Sequence, residues 1–85
     1  MNTKTAEQAF QELREAGLLD SEVLNLRIHA RMGLGSLRTA IENGHNSLSP
    51  SGKDEKAYME IVEHLPRNDL KTLGGLLNAH YSKPL

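Results

Sequence analysis

Apolar residues recur at steps of three and four along most of this chain. Ala6, Ala9, Phe10, Leu13 and Ala16 share one helical face; so do Leu37, Ala40 and Ile41, then Ala57, Tyr58, Ile61, Val62 and Leu65, and finally Leu70, Leu73 and Leu77 with Leu76 and Tyr81 at the margin. The punctuation agrees with these periods. Thr5-Ala6-Glu7-Gln8 fits a capping box, and Gly17 suits a left-handed cap beyond Ala16, with Leu18 folding back on Leu13. Pro66 stops the segment that starts near Asp54, and Asn68-Asp69 opens the last one. The pattern predicts one all-α domain, a small bundle of four or five helices: Ala6 to Ala16, Ser21 to Met32, Ser36 to Asn43, Asp54 to about His64, and Asn68 to about His80. Its expected core is Phe10, Leu13, Leu24, Ile28, Leu37, Ile41, Tyr58, Ile61, Leu65, Leu70, Leu73 and Leu77. Gly74-Gly75 interrupts the last helix at a cost of about 1 kcal/mol each, which makes sense where a neighbouring backbone packs closely. Tyr81 to Leu85 is expected to be a loose tail.

One segment carries two periods at once. Leu24, Leu26, Ile28, Ala30 and Met32 alternate with Asn25, Arg27, His29 and Arg31, as in a half-buried strand, and on a helix the same apolar residues spread over much of the circumference. Helix is favoured, because Asp20-Ser21-Glu22 is a good start and Ala, Met, Arg and Asn are poor strand formers. A strand here would have to pair with a second chain. Gly33-Leu34-Gly35-Ser36 then reads as a turn, with Ser36 capping a short helix whose inner face is Leu37, Ala40 and Ile41 and whose outer face is Arg38, Thr39 and Glu42.

Composition narrows the picture. The chain has 85 residues, three aromatic side chains (Phe10, Tyr58, Tyr81) and no Trp, so its core is thin and built from aliphatic residues. The lack of Cys excludes a disulfide framework, a thiolate nucleophile and Cys-ligated metal, and points to a reducing compartment. No apolar run is long enough to cross a bilayer, and Met1 to Thr5 leads into a polar periodic segment without a signal core. A soluble cytoplasmic protein is expected. The net charge of −1 argues against indiscriminate nucleic-acid binding. Its distribution is uneven, however: Arg27, Arg31, Arg38 and Lys53 face one acid, Glu42, in the middle third, between a more acidic start and a balanced end.

Catalytic chemistry is sparse. His29, His45, His64 and His80 lack short metal-ligand spacings, Glu60 and His64 read as a surface pair, and no nucleophile elbow, paired acidic motif or phosphate loop is present. The expectation is a non-enzyme without cofactor or metal.

Ile28 to Gly44 resembles the helix-turn-helix of the lambda-repressor and Cro-like family, over about a fifth of the chain. The resemblance lies in Ile28 and Ala30, the Met32-Gly33-Leu34 turn, inward Leu37 and Ile41, and the closing Ile41-Glu42-Asn43-Gly44. It implies a small regulatory protein, dimeric, with the helix Ser36 to Asn43 in the major groove of double-stranded DNA. Ser36, Arg38 and Thr39 would then face bases or phosphates, while Arg27, Arg31, His45, Asn46 and Lys53 would hold the backbone. The alternative is a helical protein-binding module, an inhibitor or adaptor of a larger macromolecule, which near-neutral charge and acidic flanks favour.

Overall fold

The computed structural model describes residues 4–43 and 52–82, and among these it is entirely helical. Helix α1 spans Ala6–Glu15, α2 Leu26–Met32, α3 Leu34–Glu42, α4 Lys53–Val62 and α5 Arg67–Ser82, with a 3₁₀ turn at Leu18–Asp20. The strand alternative for Leu24 to Met32 is therefore overturned: no strand occurs among the described residues.

Helix α1 begins as its sequence dictates. The Thr5 hydroxyl accepts from the Gln8 N–H at 3.2 Å, and the Gln8 side chain accepts from the Thr5 N–H at 2.9 Å. Its end is equally regular, with Ala16 as cap and Gly17 left-handed at φ 75°. Leu18 is then buried beside Ala6, Ala9 and Leu13.

Two boundaries differ from expectation. The helix expected from Ser21 begins only at Leu26, because Ser21 is consumed in a local turn: its hydroxyl accepts from the Leu24 N–H and donates to the Asp54 carboxylate at 2.6 Å. Asn25 then takes a left-handed conformation, φ 47°, which Asn tolerates better than most residues. The second difference lies at the joint that follows. Helix α3 starts at Leu34, so Gly33 alone, at φ 104°, separates it from α2; Ser36 lies inside α3 and caps nothing. The four-residue turn expected at Gly33 to Ser36 is absent.

Helix α2 also differs from expectation in the face it buries. Its buried residues are Leu26 and Ala30, one turn apart, and Ile28, expected in the core, is 50% exposed on the opposite side. The core itself gathers Leu13, Leu24, Leu26, Leu34, Leu37, Ile41, Val62, Leu73 and Leu77 around Tyr58. Phe10 and Ile61 pack at its edge rather than within it. At the N-terminus of α4, the buried Glu55 side chain folds back over Gly52 and fills the space that a Cβ there would need.

Helix α5 is the element against which the others assemble, touching α1, α2 and α3. Leu70, Leu73 and Leu77 form its buried stripe, and Gly74 brings its backbone against α2: a Cβ at that position would lie 3.4 Å from the Ala30 carbonyl oxygen. Tyr81, expected in a loose tail, is helical and donates its O–H to the Leu19 carbonyl at 2.7 Å.

The two adjacent glycines of α5 should respond oppositely to substitution. Gly75 is exposed with open space around it, so Gly75→Ala is expected to raise stability by about 0.5–1 kcal/mol through helix propensity. Gly74→Leu is expected to lower the urea midpoint, because its side chain must displace α2. Urea titrations of both variants check the pair.

Candidate interaction surface

The described residues among those read from the sequence as a possible DNA-binding set are distributed over α2, α3 and the start of α4. Arg27 and Arg31 are exposed on α2, Ser36 and Thr39 are exposed on α3, and Lys53 is exposed at the start of α4. His45 and Asn46 lie outside the described residues. The Arg27 guanidinium lies 5.2 Å from the centre of the Tyr81 ring, a distance suited to cation–π attraction, and the Thr39 hydroxyl donates to the Gly35 carbonyl at 3.0 Å.

Arg38 departs furthest from its expected role. Instead of projecting into solvent it turns toward the end of α4, donating to the Glu63 carbonyl at 2.6 Å and the Leu65 carbonyl at 3.1 Å, and pairing with Glu42 at 3.1 Å. The last carbonyls of an α-helix lack intrahelical donors, and Pro66, having no N–H, supplies none. The guanidinium fork answers them. Its side chain is only 28% exposed, and the positive charge partly opposes the burial that raises the Tyr58 phenol pKa.

What α2 offers solvent is different in kind. Val23, in the turn before α2, is 55% exposed, Ile28 50% and Met32 67%, and these are the exposed large apolar side chains among the described residues. Ile28 and Met32 stand one turn apart. Steps of about 100° per residue set Arg27 and Arg31 along one edge of this exposed face and Ile28 and Met32 along the other. No described carboxylate lies within ion-pair distance of either arginine, although Asp20 and Glu22 border a groove that Arg27 and Tyr81 also line. The alternation from Leu24 to Met32 contained this signal: a helix that buries Leu26 and Ala30 must expose Ile28.

His29 sits at the flank of α2, half-buried, with its Nδ1 sequestered and without a hydrogen-bond partner. Burial therefore lowers its pKa below the ordinary 6.5. Among the described residues no group of three or more His, Asp or Glu side chains is placed to hold a metal ion, and no helix is long and apolar enough to cross a membrane. His64 pairs with its neighbour Glu63 at 3.2 Å, rather than with Glu60 as expected, and is mostly solvated.

Comparison with family models, with curated proteins and with solved structures gives no match, so the functional reading rests on this chain's own residues.

Two outcomes follow from this geometry. Arg38→Ala should lower stability by about 1–2 kcal/mol, since the Glu63 carbonyl at the end of α4 and the Leu65 carbonyl in the connection to α5 lose a charged donor that is already partly solvated. Arg38→Lys should recover only part of this, because an ammonium cannot fork between both oxygens; chemical denaturation of the three proteins measures it. For His29, the unfolded chain takes up a proton near pH 6.5 while the folded chain resists. Its contribution to stability is complete above that pH and declines as pH falls through it, levelling below the folded pKa. His29→Gln is expected to flatten this part of the stability profile, as read by urea midpoints at about pH 7.5 and about pH 5.5.

Proposed function

We propose that the protein is a helical protein-binding module whose contact face is the exposed side of α2. The observation that carries this reading is that, among the described residues, the exposed large apolar side chains are Val23, Ile28 and Met32, on α2 and in the turn that leads into it. Clustered apolar exposure rimmed by polar groups marks protein contact surfaces, and Met adapts its shape to a partner at little cost. Arg27 and Arg31 add residues of the type enriched at such contacts.

A duplex-binding reading retains one observation of its own. Ser36 and Thr39 face solvent on α3, and Arg38, Thr39 and Arg67 line a depression together with Gly35, Glu42 and Leu70. Against it, Arg38 is occupied by the Glu63 and Leu65 carbonyls after α4, and the apolar side chains of α2 gain nothing from a phosphate backbone.

A photoreactive residue placed at Met32 and expressed in the native cells is expected to give a discrete protein adduct that disappears with Ile28→Asp. The same residue at Lys71, exposed on α5, should give none. Adducts to nucleic acid in place of protein, together with duplex binding at low salt that falls steeply as salt is added, would instead favour the DNA-binding reading.

A further inference from the structure

We infer that the partner surface received by α2 is an acidic amphipathic helix. The inference rests on the protein-binding reading above and specifies the chemistry of its occupant. Helix α2, Leu26–Met32, contains Arg27, His29 and Arg31 and no carboxylate. Its two exposed arginines have no ion-pair partner among the described residues, whereas Lys4 pairs with Glu12 at 2.9 Å and Arg38 with Glu42 at 3.1 Å. Parallel to the arginine edge runs the apolar edge of Ile28 and Met32, exposed by 50% and 67%.

A helix laid along this face meets both edges together. Its apolar positions, recurring at steps of three and four, would cover Ile28 and Met32, and acidic side chains beside that stripe would reach Arg27 and Arg31. Arginine is suited to this, because its planar fork grips a carboxylate through two parallel hydrogen bonds. The stacking of Arg27 over Tyr81 holds one such fork near the surface of α5.

A second copy of this chain fits the face less well. In a two-fold pairing each surface meets its own image. If the α2 helices run antiparallel, the arginine edge meets the arginine edge; if they run parallel, arginines meet Ile28 and Met32. In neither arrangement does the partner α2 itself bring a carboxylate to the arginines. Nucleic acid could satisfy the arginines through phosphate, but it would leave Ile28 and Met32 without apolar cover.

The test uses three fluorescent peptides of about 20 residues, long enough to form amphipathic helices, sharing one leucine stripe and flanked by Glu, Gln or Lys. Fluorescence anisotropy with the full chain at low salt is expected to show the Glu peptide binding at least tenfold tighter than the Gln peptide, and the Lys peptide not binding. The double variant Arg27→Gln, Arg31→Gln, whose circular dichroism should match wild type, is expected to erase the difference between Glu and Gln. Met32→Ser should weaken both.

Equal binding of Glu and Gln peptides, with both weakened by Met32→Ser, would overturn the acidic partner and leave the protein-binding reading standing. Failure of all three peptides to bind would overturn the inference. If labelled duplex DNA bound in their place, the protein-binding reading would fall with it. A shift of the free chain to a dimer in analytical ultracentrifugation, abolished by Met32→Asp, would assign the face to a second copy and likewise overturn the inference.

Discussion

Short helices end in carbonyl groups that no residue of the same helix can satisfy, and where those ends pack against neighbours a donor must come from elsewhere in the fold. This chain meets that constraint with side chains distant in sequence. Asn78 of α5 donates to the Ala30 carbonyl near the end of α2, and Tyr81 donates to Leu19 in the 3₁₀ turn. Around the end of α4, Lys4 donates to Ile61, and Arg38 donates to Glu63 and Leu65. Each bond closes a helix terminus and fixes the position of a second element at once. With few aromatic side chains to lock the packing, these directional contacts supply geometry that an aliphatic core specifies weakly.

Nowhere is this tighter than where α5 meets α2. The Ala30 carbonyl has no intrahelical donor because the chain leaves α2 after Met32. Asn78 supplies an N–H at 3.3 Å, and Gly74, one turn earlier on α5, leaves the space through which the two backbones approach. The glycine that weakens α5 as an isolated helix thus admits the contact that seats α2. Gly75 has no comparable neighbour, so its lower helix propensity is offset by nothing visible in the packing.

The parts of the fold legible in the sequence are those decided locally. Thr5 and Gln8 make a capping box from side chains three residues apart, and Gly17 takes the left-handed conformation its place after Ala16 demands. The stripe Leu70, Leu73, Leu77 is long enough that its period has one interpretation. The segment from Ser21 to Ser36 was less legible because its decisive interactions are not local. Ser21, a good cap by composition, is bound to Asp54, 33 residues away. Arg38 was expected outside because Leu37 and Ile41 must point inward, which they do; periodicity reports which side a residue faces, and not that a long side chain can turn back toward carbonyls of the α4–α5 connection. The exposed pair Ile28 and Met32 was hidden by the same ambiguity, since strict alternation on a helix cannot state which half of the apolar residues is buried.

The shortness of α2 bears on what its free face can do. Seven residues make about two turns, below the length at which a helix persists alone in water, so its order derives from Leu26 and Ala30 on α5 and from the connections at either end. Its N-terminal entry passes through left-handed Asn25 without a side-chain cap, and its exit through Gly33 is held by the Asn78 amide of α5 on the Ala30 carbonyl. A partner helix covering Ile28 and Met32 would enclose α2 between two apolar contacts and stabilise it by mass action, the more so the tighter it binds. Binding and local stability would then be one equilibrium, in which side chains that contribute little to the isolated domain while exposed become core once the partner is in place.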